Sequence, residues 1–200
     1  HDGGVLPERR GHVGRGGHGM NAQQIQHGPM TLEHTRAIAY HEAGHVVATT
    51  MRGSARFNSL DLRRHPDRDG ITYMSHYPWD TPFLCFAGPW AEARLNWGDR
   101  PMDDEDDEGC VFRDYLTGMT LPGAPGHGDW EQSRLYDPLA SCPDGMDREQ
   151  WEDFYQQRQD TWCYELERQW PLVQAVADHI MQCWTLTSSD LDRLVQQHAN

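Results

Sequence analysis

The chain has 200 residues, a formal net charge of −14 at neutral pH and a pI near 5.1. This length is usual for one domain and is sufficient to bury an apolar core. The negative charge repels phosphate along the whole approach path, which argues against nucleic acid and anionic membranes as partners. No apolar run approaches the ~20 residues needed to cross a bilayer, so membrane insertion is not expected.

The cysteine pattern bears on the cellular compartment. Five cysteines lie at wide spacings without a CxxC pair, a pattern that suggests neither a zinc knuckle nor a disulfide framework. The start of the chain also lacks the apolar stretch of a secretory signal. We therefore expect reduced thiols in a cytoplasmic protein.

The first 30 residues differ in composition from the rest. They are rich in Gly and His and show almost no apolar periodicity. This composition predicts a disordered leader, or a segment added ahead of the natural start, for which Met20 is a candidate. Residues 31–200 are then expected to form a single domain.

The first elements of that domain differ in their hydrophobic period. Residues 31–51 read as a helix with one apolar side, and Thr31 is a suitable N-cap. Residues 57–62 alternate, residues 65–70 supply turn residues, and residues 71–74 alternate again. The sequence thus predicts a helix followed by a β-hairpin or a small sheet.

The middle of the chain combines a helix with two loops. Residues 81–97 have helical character, although Gly88-Pro89 should kink or restart that helix. The acidic run 103–108 is expected to be a solvated loop, because it lacks the spaced oxygens and turn glycine of a calcium-binding loop. The Gly- and Pro-rich stretch 121–128 predicts a loop that leads into a helix whose first turn holds Asp129.

The last third of the sequence is predominantly helical. Residues 147–183 carry helical periodicity with an interruption near Pro171, and residues 187–197 open with a capping-box pattern. Aromatic residues recur at helical spacing along 151–170, which predicts a core-facing side rather than a cofactor site. The fold class expected from all these elements is mainly α (α+β), with the hairpin or sheet beside the first helix.

The first helix carries the pentapeptide His41-Glu42-Ala43-Gly44-His45, which fits the pattern HExxH. Residues four apart on a helix project from the same face, so both imidazoles can converge on one Zn²⁺ ion. Glu42 is then placed to act as the catalytic base on a metal-activated water. Gly44 costs about 1 kcal/mol relative to alanine inside a helix, which suggests that another element packs closely against it.

A third metal ligand must come from elsewhere in the chain. Asp129 is the first choice, because a carboxylate that opens a helix after a flexible loop can be aimed across at another helix. Glu92 in the second predicted helix is an alternative ligand, or else a partner that orients a ligand. His127 is a further alternative, as the nearest nitrogen donor to Asp129.

Residues 37–48, Ala-Ile-Ala-Tyr-His-Glu-Ala-Gly-His-Val-Val-Ala, resemble the active-site helix of the FtsH-type zinc peptidase domain. The resemblance continues in chain order from about residue 31 to residue 197. The further matching segments are residues 57–63 and 70–73 (strand and glycine turn), 86–95 (the AGRAAE helix), 128–133 (the step that supplies the aspartate ligand), and 173–180 with 185–191 (the closing helices).

This resemblance implies a zincin-like helical peptidase domain. By analogy with the family, Zn²⁺ binds to His41, His45 and Asp129, and Glu42 is the base. The family binds extended peptide at a strand edge, which implies that substrate adds as a strand at the segment Leu60, Asp61 and Leu62.

The sequence also departs from that family. It contains no P-loop of the family's ATPase module and no transmembrane segment, so the expected activity is ATP-independent hydrolysis of unfolded or short peptides. A zinc-dependent enzyme of a small-molecule biosynthetic pathway and a non-catalytic binding scaffold are the alternatives. The expected partner is a peptide or protein substrate, and a homo-oligomer is compatible with this interpretation.

Overall fold

A computed structural model of the protein describes residues 31–63 and 71–198. These residues form seven α-helices and a small three-stranded antiparallel sheet, which confirms the mainly helical α+β class. The predicted leader, residues 1–30, and the predicted turn, residues 65–70, lie outside the described residues. Within the described ranges, no helix combines the length and apolar character that a membrane crossing requires.

Helix α1 (Leu32–Met51) carries the HExxH pentapeptide and begins where the sequence predicts. The Thr31 side chain caps it by accepting a hydrogen bond of 3.1 Å from the backbone N–H of His34. Its close neighbour is α2 (Thr81–Trp97), and the two helices approach each other at Gly44. A Cβ atom at Gly44 would lie only 2.2 Å from the Ala87 carbonyl oxygen, so the predicted close packing is confirmed.

The predicted restart of α2 at Gly88-Pro89 is wrong, because the helix continues through Pro89 to Trp97. Proline removes one backbone hydrogen bond and crowds the carbonyl group four residues earlier. Burial of α2 in the middle of the domain compensates for this loss. The fully buried side chains of α2 include Phe86, Trp90 and Trp97.

The remaining helices complete the domain. The acidic run before α3 is largely exposed, as expected for a solvated loop. Within it, the Asp106 carboxylate accepts hydrogen bonds from the backbone N–H groups of Glu108 and Cys110 and from the Tyr115 hydroxyl. The sequence did not predict α3, in which polar residues and Gly118 weaken the helical signal. The bounds are α3 (Phe112–Thr120), α4 (His127–Tyr136), α5 (Arg148–Glu167), α6 (Trp170–Cys183) and α7 (Ser188–His198).

The predicted core-facing side of α5 is present only toward its C-terminal end. Trp162 packs edge-on against the rings of Phe83 and Phe86, and Leu166 is fully buried. Phe154, nearer the start of the helix, is 46 % exposed. That part of α5 is attached by polar contacts instead, since Arg158 forms an ion pair with the buried Asp137.

The sheet consists of β1 (Arg56–Asp61), β2 (Ile71–Ser75) and β3 (Thr185–Thr187), in the order β2-β1-β3. The predicted hairpin of β1 and β2 is confirmed, whereas β3 was not predicted. Because β1 is the central strand, Leu60 is paired with Thr72 on one side and with Leu186 on the other.

This topology contradicts the expected strand addition of substrate at Leu60, Asp61 and Leu62. Both edges of β1 are already paired, and the backbone N–H of Leu62 donates a 2.8 Å hydrogen bond to the Trp184 carbonyl oxygen. The leucine side chains are also buried in the core. The short β3 strand occupies the edge that an incoming peptide would need.

Candidate metal centre

Three side chains from two helices converge at one point. His41 and His45 lie one turn apart on α1, with their Nε2 atoms separated by 3.2 Å. Asp129, in the first turn of α4, places Oδ2 at 2.9 Å from His41 Nε2 and 3.5 Å from His45 Nε2. The three ligand atoms all lie within 4.8 Å of one another. Two imidazole nitrogens and one carboxylate oxygen in this arrangement could hold a metal ion.

The outer nitrogen of each imidazole has its own acceptor. His41 Nδ1 donates to Glu92 Oε2 at 3.2 Å, and His45 Nδ1 donates to the Leu84 carbonyl oxygen at 2.7 Å. With Nδ1 as the donor on the outer side of each ring, Nε2 is the nitrogen that faces the cluster and would bind a metal ion once its own proton is displaced. Glu92 is buried and contacts the far side of the His41 ring, so its contact fits an orienting partner and not a ligand.

A glycine of α2 keeps the space beside the imidazoles open. A Cβ atom at Gly88 would lie 2.4 Å from His45 Nε2 and 2.7 Å from His41 Nε2. Any side chain at this position would therefore occupy the point where the two nitrogens converge. The sequence showed Gly88 only as a helix-breaking residue, and its role beside the histidines depends on the contact between helices.

Helix α4 is attached to α2 on both sides of Asp129. At its N-terminus, a Cβ atom on Gly126 would lie 2.7 Å from the Pro89 ring, so the two helices touch directly there. One turn after Asp129, the buried Ser133 hydroxyl donates a 2.9 Å hydrogen bond to the Pro82 carbonyl oxygen. These two contacts hold the Asp129 carboxylate in place opposite the histidines.

The electrostatics of the cluster favour a bound cation. Burial, the largest influence, lowers the pKa of His41, but hydrogen bonds to Asp129 and Glu92 outweigh it and raise that pKa to about 10. Burial also lowers the pKa of His45, but the negative charge of Asp129 outweighs this effect, so the pKa of His45 is raised. The two histidines in turn hold the pKa of the Asp129 carboxyl well below its usual range, against the effect of burial. Without a metal ion, the cluster therefore retains protons that a cation would displace.

Glu42 lies next to the two histidines on α1 and is only partly buried. The hydroxyl group of Thr72, on β2, donates a hydrogen bond to Glu42 Oε2. Sequence reasoning missed Thr72, because nothing in an alternating strand pattern distinguishes this threonine from its neighbours. The contact connects the sheet to the HExxH helix.

His127 lies outside the cluster. Its Nδ1 donates a 3.0 Å hydrogen bond to the Thr120 carbonyl oxygen, and its Nε2 is 3.5 Å from Glu131. The three side chains that come together in the part of the chain that the structure describes are thus His41, His45 and Asp129.

No protein-family model matches this sequence, and no curated protein matches it either. Any functional assignment therefore depends on the residues themselves and on the geometry described above. That geometry supplies three metal donors, the Glu42 carboxylate beside them and, among the described residues, an unpaired outer edge of β2.

Proposed function

We propose that the protein is a zinc-dependent metallopeptidase that hydrolyses unfolded or short peptides without ATP. The observation that carries this proposal is the convergence of His41, His45 and Asp129 with Glu42 next to them on the same helix. Structural zinc sites use four protein ligands, whereas catalytic sites use three and leave a position for water. Among the residues that the structure describes, this cluster has three.

The donor set and its surroundings fit zinc. Zinc accepts imidazole nitrogen and carboxylate oxygen, and its histidine ligands commonly donate their other N–H to a carboxylate or a backbone carbonyl. Both kinds of outer acceptor are present, Glu92 for His41 and the Leu84 carbonyl for His45. Gly88 leaves the Nε2 side of both rings accessible.

The chemistry divides between the ion and Glu42. A bound zinc ion would lower the pKa of water to about 7 and polarise the scissile carbonyl group. Glu42 would take the proton from the attacking water and transfer it to the leaving amine. The Thr72 hydroxyl binds one carboxylate oxygen of Glu42 and leaves the other free for the proton.

The substrate would bind along β2 instead of β1. Among the described residues, β2 is paired only with β1, so its outer edge can accept an extended peptide by backbone hydrogen bonds. Thr72 places this strand against Glu42. Tyr73, the next residue, is half exposed and could contact the side chains of a bound peptide.

The test is a pair of glutamate variants on the same helix. Glu42→Gln should retain one zinc ion per chain and lose hydrolysis of a fluorogenic peptide library by about a hundredfold or more. Glu33→Gln, at an exposed position in the first turn of α1, should retain both zinc and turnover. Undiminished hydrolysis by Glu42→Gln would refute the general-base assignment. A zinc-loaded parent without activity on any peptide would refute the peptidase proposal.

A further inference from the structure

A second site candidate lies between α3, α4 and α5. It is a cavity of about 760 Å³, within the range of pockets that hold small organic molecules. None of the metal-binding candidates His41, His45 and Asp129 lines it. Much of the lining is apolar, including Met102, Phe112, Leu116, Leu121, Trp130 and Cys163.

Helix α4 separates this cavity from the metal centre. His127, Trp130 and Arg134 line the cavity and recur at the spacing of one helix face. Asp129 and Ser133, four residues apart, lie on a different face, toward the histidines and α2. The cavity and the metal centre therefore occupy different sides of the same helix.

The polar groups in the cavity wall leave hydrogen-bond donors unmatched. The side-chain amide nitrogen of Gln159 is buried and has no hydrogen-bond partner. Arg134, an exposed lining residue, forms no ion pair with any residue in the described part of the chain, so its guanidinium group is available to a ligand. Each of the three acidic groups of the wall has a partner. Asp160 pairs with Arg113, and Asp103 accepts from the Tyr164 hydroxyl. The Glu131 carboxylate lies 3.5 Å from His127 Nε2. A ligand that satisfies this wall must therefore bring an acceptor.

We propose that this cavity binds a small hydrophobic carboxylate, such as a medium-chain fatty acid. The hydrocarbon chain would fill the apolar interior, where burial of its surface drives binding. The carboxylate would pair with Arg134 and accept from the unmatched donors of the wall. Neither zinc nor hydrolysis is required for this binding, so it stands apart from the proposed peptidase activity.

The experiment compares octanoate with octan-1-ol, which has a chain of the same length but no charge. Ligand-observed NMR titration of the full chain should give one octanoate site with a dissociation constant of about 0.1–1 mM, the affinity that about ten non-hydrogen atoms can supply. Octan-1-ol should bind at least about fivefold more weakly, because it lacks the charged acceptor. Equal affinity for the two compounds would overturn the carboxylate assignment.

Variants locate the binding. Arg134→Gln should weaken octanoate about fivefold and leave octan-1-ol unchanged, since only the charge-assisted contact is lost. The matched control is Arg148→Gln, an exposed arginine of α5 that pairs with Glu152 and does not line the cavity. Thr117→Trp places a large ring in the cavity from an exposed position on α3 and should abolish binding of both compounds.

Two further results decide the outcome. Leu116→Trp, at the neighbouring position, is a second variant that fills the cavity and should also abolish binding of both compounds. Circular dichroism shows whether each variant is folded, and a variant that is poorly folded is replaced by the other. Asp129→Ala should still bind octanoate with parental affinity, because its carboxylate faces the metal centre. Binding that survives Arg134→Gln and both tryptophan variants, or that disappears in Asp129→Ala, would overturn the proposal.

Discussion

The Thr72 hydroxyl on β2 donates a hydrogen bond to the Glu42 carboxylate on α1. The contact joins β2, which pairs only with β1 among the described residues, to the residue proposed as the base. A carboxylate held in this way keeps one orientation, which favours proton transfer at the oxygen that remains free.

Replacement of Thr72 by valine should therefore reduce turnover without affecting the metal. We expect kcat for a peptide substrate to fall about tenfold in Thr72→Val, because Glu42 loses its orienting donor, while zinc content by elemental analysis stays at the parental value. Thr72→Ser keeps the hydroxyl and should restore most of the loss. The control is Thr185→Val on β3, the strand at the other edge of the sheet; a Thr72→Val enzyme with parental kcat would contradict the positioning role.

Gly88→Ala should weaken metal binding. The added Cβ would lie 2.4 Å from His45 Nε2, in the space where the two imidazole nitrogens converge. Zinc affinity, measured by competition with a chelator, should fall at least about a hundredfold because the ligand geometry is disturbed.

The matched control for Gly88→Ala is Gly118→Ala in α3. A Cβ atom at Gly118 would meet nothing within 4 Å, so alanine there should stabilise the helix by up to about 1 kcal/mol. Thermal unfolding and zinc affinity of both variants separate the helix-propensity effect from the steric effect. Parental zinc affinity in Gly88→Ala would show that the metal binds away from these nitrogens.

Zinc binding should release protons near neutral pH. In the metal-free protein the pKa of His41 is raised to about 10, so its ring carries an additional proton at neutral pH that zinc must displace. The pKa of His45 is raised as well, because the charge of Asp129 outweighs the effect of burial. Calorimetry in two buffers of different ionisation enthalpy should give at least about one proton released per zinc at pH 7.5. Zinc affinity should accordingly rise with pH. Zinc binding without proton release would contradict the raised pKa values of the histidines.

The same raised pKa predicts how the metal-free protein responds to pH. Because the folded-state pKa of His41 lies above its ordinary value of 6.5, protonation stabilises the fold fully below about pH 6.5. This contribution should decline as the pH rises toward about 10. Chemical denaturation of the chelator-treated protein at several pH values measures this contribution as a change in the free energy of unfolding. Asp129→Ala removes one of the carboxylates that raise the pKa of His41, so the free energy of unfolding should depend less steeply on pH in this variant.

Glu92→Gln should weaken the site without abolishing it. Glu92 accepts from His41 Nδ1 and does not belong to the three-residue cluster, so its loss affects a ligand's orientation only. Zinc affinity should fall about 10- to 100-fold, as is usual when such a partner is altered. Asp129→Ala, which removes a donor, should reduce zinc binding much further, and an equal loss in the two variants would indicate that Glu92 is itself a ligand.

The local sequence was sufficient to predict those elements whose characteristic residues lie within a few positions of one another. The Thr31 cap, the helix that follows it and the spacing of His41 and His45 all depend on helical periodicity. Asp129 could be named because a Gly- and Pro-rich loop before it marked the start of a helix. Its approach to the histidines was a hypothesis that only the packing of α4 on α2 could test.

The sequence by itself was sufficient to identify the two histidines and the carboxylate beside them as site candidates and to predict the mainly helical fold, since each of these is encoded by neighbouring residues. The tertiary structure alone decided that Glu92 orients His41, that Thr72 contacts Glu42 and that β3 closes the second edge of β1. The physical reason is sequence separation. A three-residue strand more than a hundred residues from its partner has no local signal, and its position depends on burial and pairing in the folded chain.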